Sequence, residues 1–257
     1  MSAVGEIEQF LYALAPRPLA QSWDNVGLLV GRPDREVKKV LVSLDITEAV
    51  AEEASRWGAE LIVAHHPVIF HPVKSVTGGD PTGETLLRLI EGGISAICMH
   101  TNLDAARGGV NDALAAALAL EEVAPLEGGG GIARTGRLPQ PVSVPDFLCA
   151  VQEALGANGL RYVDAGRPVR RAAVGGGACG EFLRAAAAGG CDAFVTADVK
   201  YDQFLTAAAL GLTLIDAGHY PTEDVVCPVL VDYLAGRFPA VRIQKASSHR
   251  EVTQYYM

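Results

Sequence analysis

Short apolar strands alternate with helix-patterned stretches through almost the whole chain, and this alternation confines it to the α/β class. A helix is predicted over residues 5–14, where apolar side chains recur at helical spacing until Pro16 stops it. A β-branched strand follows over 37–44, then a helix over 47–57 closed by Gly58, then a buried strand over 60–64. A second round reads as a helix over 83–90, a strand over 94–99 and an alanine-rich helix over 111–120. Rounds of this kind build a largely parallel sheet with right-handed crossovers. Residues 127–131, an acid followed by glycines, read as a linker or flexible loop. Beyond them the pattern restarts, from a helix over 145–155 to a last strand over 241–245.

The restart keeps register. A shift of 132 residues, without a gap, places Val37-Lys38-Lys39 on Val169-Arg170-Arg171, Gly58 on Gly190, Glu60 on Asp192 and His66 on Asp198. The stretch from Gly93-Ile94 to His100 echoes that from Gly211-Leu212 to His219 with one residue of slippage. All βαβ units share some of this likeness. The ungapped register favours two related α/β lobes, 1–124 and 125–257, with mixed, mainly parallel sheets. If the lobes pack face to face, their strand ends meet at one cleft, where open α/β sheets bind ligands.

Composition narrows the function. Nearly half of the 257 residues are hydrophobic, enough for a full core without disulfides. Cys98, Cys149, Cys179, Cys191 and Cys227 are odd in number and form no CxxC pair, which fits a reducing, cytoplasmic setting. Four of the five sit beside apolar residues and are expected to be inert core thiols. No apolar run approaches the ~20 residues of a membrane helix. Residues 1–10 carry acids and no basic cluster, unlike a secretory signal. The net charge is −9 with no basic patch, which argues against nucleic acid and for a small-molecule role.

Three predicted strands end in histidine with carboxylate. In Val63-Ala64-His65-His66-Pro67, neighbouring side chains on a strand would point to opposite faces, so two histidines sharing a site must lie in the turn beyond it. Pro67 holds His66 extended. The second cluster is Met99-His100-Thr101-Asn102-Leu103-Asp104, in which Asp104 alone would read as a helix cap. The third is Gly218-His219-Tyr220-Pro221-Thr222-Glu223; there His219 is expected just before a helix and Glu223 in its first turn, where a carboxylate also suits the helix dipole. Each residue has an ordinary structural reading by itself. Five of the six histidines lie in or near these clusters, His249 being the exception. Mixed nitrogen and oxygen donors suit zinc, iron, manganese or nickel better than magnesium or calcium. Five ligands, His65, His66, Asp104, His219 and Glu223, exceed one tetrahedral ion and suit a pair with a bridging carboxylate.

The segments Ser22-Trp23-Asp24-Asn25-Val26-Gly27-Leu28, Ala64-His65-His66-Pro67, His100-Thr101-Asn102-Leu103-Asp104 and Gly218-His219-Tyr220-Pro221-Thr222-Glu223 closely resemble the Nif-three-like family, whose members are often called GTP cyclohydrolase 1 type 2 homologues. The resemblance runs through essentially the whole chain. It implies a dinuclear metal cleft between the lobes on those five ligands, with His100 close by, and a toroidal homohexamer of dimers. It also suggests hydrolytic opening of a purine nucleotide ring, with His100 moving protons to the leaving group. A competing class is a non-enzymatic metal-binding or interaction protein, since fold does not fix function. The pattern departs at Asp202, where relatives often carry histidine, and at Pro228, which should kink or shorten a helix after Glu223.

Two further motifs have competing readings. Gly175-Gly176-Gly177-Ala178-Cys179-Gly180 satisfies the GxGxxG pattern of dinucleotide sites, with Asp198 near the place of a ribose-binding acid. Its internal twin, Ser43-Leu44-Asp45, lacks the glycines, and close backbone packing explains them without a dinucleotide. The segment around Trp23 reads as a structural entry to a core strand, with Asp24 and Asn25 bonding locally to backbone.

Overall fold

The computed structural model describes residues 2–256. The chain divides into two compact units: the first ends at Ala106 and resumes over Cys227–Arg250, and the second runs over Arg107–Val226 and resumes at Glu251. This division differs from a cut after residue 124. The strand Arg242–Lys245 pairs in parallel with Lys39–Ser43, so the C-terminal segment completes the first sheet rather than the second. Residues 127–131 are no linker either; they turn between the antiparallel strands Glu121–Pro125 and Arg134–Val142 within the second unit.

The first unit carries a sheet in the order Arg242–Lys245, Lys39–Ser43, Leu61–Ala64, Ser95–Cys98, Gly27–Val30. Its first four strands are parallel and the last is antiparallel. Leu61–Ala64 and Ser95–Cys98 are buried along their whole length, as central parallel strands with both faces covered must be. The helix Glu48–Trp57 begins where the Thr47 hydroxyl accepts from Val50 N and ends at Gly58, whose φ of 74° is left-handed. Its buried Val50 and Ala54 pack with Leu41, Ile62 and Leu89.

The second unit carries a sheet in the order Glu121–Pro125, Arg134–Val142, Val169–Val174, Ala193–Thr196, Thr213–Asp216, Arg161–Val163. Its three central strands Val169–Val174, Ala193–Thr196 and Thr213–Asp216 are parallel, and antiparallel strands flank them. Phe147, Val151 and Leu114 cover one face of the sheet; Leu183 and Ala207 pack with Phe194 and Leu214 on the other. After the helix His219–Asp224 a new helix, Val226–Arg237, starts with Pro228 in its first turn. Proline is tolerated there because that amide has no intrahelical partner, so Pro228 shortens rather than kinks the helix. Among the described residues no helix is long and apolar enough to cross a membrane.

The sequence echo is a structural one. Val40 pairs with Leu61 in the first unit, and Ala172 with Ala193 in the second, each 132 residues on. Glu60 Oε2 accepts from the amides of Lys38 and Lys39 at 3.0 and 2.9 Å; Asp192 Oδ2 accepts from Arg170 and Arg171 at the same distances. One carboxylate thus satisfies two backbone donors where each parallel pair begins. Charge-assisted bonds of this kind exceed neutral ones. Glu60→Ala and Asp192→Ala should each lower unfolding free energy by about 2 kcal/mol, read by urea denaturation. A loss in only one variant would mean the echo is geometric without being energetic.

Candidate metal centre

In the first unit the buried strand Leu61–Ala64 stops just short of His65 and His66. The His65 and His66 amides turn back onto Leu44 O at 3.1 and 2.9 Å, which places both rings beyond the strand as a shared site requires. His65 is fully buried and its Nδ1 lies 2.8 Å from Met99 O. A carbonyl only accepts, so Nδ1 is the protonated nitrogen and Nε2 carries the lone pair. His66 Nδ1 is 2.7 Å from Asp45 Oδ1, and His100 Nδ1 is 2.8 Å from Asp24 Oδ1, which fixes the same tautomer twice more. His65, His66 and His100 each offer a ligand atom within 4.8 Å of the others. Asp104, on the short helix Thr101–Ala105, is buried rather than capping and reaches within 3.5 Å of His65 Nε2. Imidazoles anchored through one nitrogen, with a carboxylate alongside, form the donor set a borderline divalent metal takes.

The turn that carries His100 is locked to the loop before Gly27–Val30. Asp24 Oδ2 accepts from Thr101 N at 3.0 Å and Thr101 Oγ1 at 2.5 Å, and Gln21 N donates to Thr101 Oγ1 at 2.9 Å. Buried Asn102 donates to Ala15 O at 2.7 Å. Burial alone would raise the Asp24 carboxyl, but the bonds from His100 and Thr101, with attraction to the His100 ring, outweigh it and bring it down to about 2. Asp24 therefore serves a partner 76 positions away rather than its own loop alone, a role the sequence reading missed. Asp45 was missed too. Its second oxygen lies 2.7 Å from His249 Nε2, so the one histidine far from the sequence clusters supports the carboxylate that orients His66.

In the second unit His219 is the first residue of the helix His219–Asp224, with Gly218 at φ 87° before it; the helix thus begins earlier than the sequence suggests, and Glu223 lies past its first turn. Glu223 falls four residues on, the spacing that puts two side chains on one helix face. His219 Nε2 lies 3.0 Å from Glu223 Oε2, and Glu223 is buried. Asp198 Oδ2 holds His219 Nδ1 at 2.7 Å. Asp198 itself has φ 51°, a left-handed conformation that aspartate tolerates better than most residues. Thus His219 is anchored in the same way as His65, His66 and His100.

The glycine run packs against this helix. A Cβ on Gly177 would sit 2.1 Å from Glu223 Oε1 and 3.0 Å from His219 Nε2; one on Gly176 would sit 3.2 Å from Glu223 Cγ. Gly177 N donates to Thr222 Oγ1 at 3.0 Å. Close approach of backbone to the His219–Glu223 pair explains these glycines, and a dinucleotide is not needed. Four cysteines are buried and Cys149 is exposed; burial pushes the Cys98 thiol up to about 12, which makes it a core residue without thiolate chemistry.

A family model described as Duf34/NIF3 (NGG1p interacting factor 3) matches residues 2–251. A Streptomyces coelicolor protein named GTP cyclohydrolase 1 type 2 homolog is 38% identical over 238 residues, covering 88% of this chain and 84% of its own. A Clostridium perfringens protein of the same name is 32% identical over 234 residues, covering 89% and 88%. The crystal structure of a Bacillus cereus protein related to NIF3 superposes with a TM-score of 0.93 over 100% of this chain and 99% of that one, at 23% identity, a likeness of fold.

Two outcomes follow from this geometry. The depressed Asp24 carboxyl contributes stability above its unfolded value near 3.8 and loses it as pH falls toward about 2. Asp24→Asn should remove at most about 2 kcal/mol at neutral pH, solvent screening allowed for, and flatten the melting profile between those values. An unchanged acid limb would contradict the His100–Asp24 bond. Gly177→Ala should cost at least about 1 kcal/mol more than Gly166→Ala. Both positions are left-handed, but a Cβ at Gly166 meets nothing within 4 Å. Equal losses by denaturant unfolding would show no clash at Glu223.

Proposed function

Because the chain belongs to the Duf34/NIF3 family, we propose that it is a metal-dependent hydrolase acting on a small molecule, with a purine nucleotide as the favoured substrate. The observation that carries this reading is the shared anchoring of four imidazoles through Nδ1, three by carboxylates and one by a carbonyl. Such anchoring raises ligand basicity and fixes ring orientation, which a metal ligand needs and an ordinary surface histidine does not. The ligand set in this proposal is His65, His66, Asp104, His219 and Glu223, holding two divalent ions drawn from zinc, iron, manganese or nickel. The names of the Streptomyces and Clostridium relatives support a guanine nucleotide among the substrates tried first.

When bound, such ions lower the pKa of a coordinated water toward neutrality and polarise the group under attack. The remaining work falls to the chain. Buried His65 and Asp104 supply a dry floor where charge interactions are strong. His100 is the proton carrier: Asp24 holds its Nδ1, directs Nε2 outward from that bond, and steadies the ring when it takes up a proton. Because Asp24 stays ionised down to about pH 2, this support persists through the working range. The assembly proposed with this function is a homohexamer, a closed ring of dimers.

Purified protein should carry up to two transition-metal ions per chain by elemental analysis. His66→Ala or Glu223→Ala should lose at least one, since a missing ligand weakens coordination strongly. Metal-replete protein should turn over a member of a nucleotide panel, and the His65→Ala, His66→Ala double variant should not. Full metal occupancy in that double variant would sink the ligand assignment. Metal binding with no turnover of any nucleotide would favour a metal-binding or interaction protein instead. Light scattering at micromolar concentration should return a hexamer mass, and a monomer mass would count against the ring.

A further inference from the structure

Trp23 and Phe70 are 60% and 45% exposed, a large aromatic surface left open to solvent. They are not scattered over the surface. Their ring centroids are 5.9 Å apart, and they lie 6.1 and 6.0 Å from the His100 ring, every contact edge-to-face. His71 extends the group, 4.7 Å from Phe70. Three rings thus form a triangle with the candidate proton carrier at one corner.

The triangle is held from beneath. Asn25 Nδ2 donates to Ile69 O at 2.7 Å and joins the Trp23 loop to the Phe70 loop. Asp24, between Trp23 and Asn25, holds His100 and the Thr101 turn. The residues neighbouring both exposed rings are therefore fixed by polar bonds. A set of preorganised aromatic rings beside a reacting histidine lowers the ordering cost of seating a flat ligand. Edge-to-face contacts use the rim of one ring at each junction and leave aromatic surface to stack a further ring.

We propose that Trp23 and Phe70 form the seat for a planar heteroaromatic ring of nucleobase size, which they position against His100. This rests on the hydrolase reading above and adds the part of the substrate that is recognised. Stacking fits an open rim, because every base presents a π-face and no deep apolar pocket is needed. A sugar face can also lie against an exposed indole, and the two probes below separate sugar from base.

Guanosine monophosphate and ribose 5-phosphate are the probes, since they share a phosphate and differ in the ring. The full chain is used in a Trp57→Phe background, which leaves Trp23 as the sole indole. Calorimetry should give at least about tenfold tighter binding of guanosine monophosphate than of ribose 5-phosphate. Only the nucleotide should quench Trp23 emission. Phe70→Ala, and Trp23→Ala in the unmodified chain, should each weaken the nucleotide about tenfold, leave ribose 5-phosphate unaffected and retain the parent's metal content. Trp23→Phe should keep most of the affinity. Should Trp23→Ala fail to fold, the emission change in the parent decides the matter. Equal affinity for the two probes, or unchanged emission on nucleotide binding, overturns the seat. So does an indole shielded from acrylamide before any ligand is added, because a second copy of the chain would then cover it. None of these readouts needs turnover, so loss of the hydrolase reading shows separately, in the nucleotide panel and the metal analysis.

Discussion

An imidazole can meet a metal through only one nitrogen at a time, and the protein decides which by what it bonds to the other. Here Met99 O, Asp45, Asp24 and Asp198 take Nδ1 of His65, His66, His100 and His219 in turn. Most of the distinctive local structure serves these four bonds. The strand ending at Ala64 supplies the turn for the His65–His66 pair, while the Thr101–Ala105 helix is tied to the Asp24 loop and to Ala15. The left-handed backbone at Asp198 and the bare backbone at Gly177 give His219 and Glu223 room on their helix. Strain held at such positions has to be offset by surrounding packing, and the buried parallel strands on either side supply it.

Much of the fold was legible because its signals are local. Gly58 and Gly190 end helical stretches with left-handed backbone, and Glu60 and Asp192 follow them at the same offset. Those residues fix a turn and a strand start from sequence alone, so the 132-residue echo survives as matched strand register and matched carboxylate bonds. The unit boundary was not legible. A short terminal strand, here Arg-Ile-Gln-Lys, carries no mark of which sheet edge it will join, and Arg242–Lys245 joins Lys39–Ser43 from the far end of the chain. Likewise a glycine run reads as a linker whether it spans lobes or, as residues 127–131 do, closes a hairpin.

The candidate site divides the same way. The histidines and carboxylates that end strands are visible as clusters, because each sits within a few residues of an apolar run. Their supporting carboxylates are not. Asp24 and Asp45 look like turn residues in their own segments, and nothing local links them to His100 or to His249, 204 positions beyond Asp45. The signal that points to Asp24 is its place between Trp23 and Asn25 in a segment that resembles the family, which draws attention to it without showing the partner.

The account turns on which nitrogen each ring presents and whether a metal meets it. An anomalous-difference map from crystals of the metal-loaded protein, measured at the absorption edge of the bound ion, tests this directly. Peaks about 2.0–2.2 Å from Nε2 of His65, His66 and His219, with Asp104 or Glu223 completing the shell, are the predicted result. Peaks bonded to Nδ1, or to none of these residues, would contradict it.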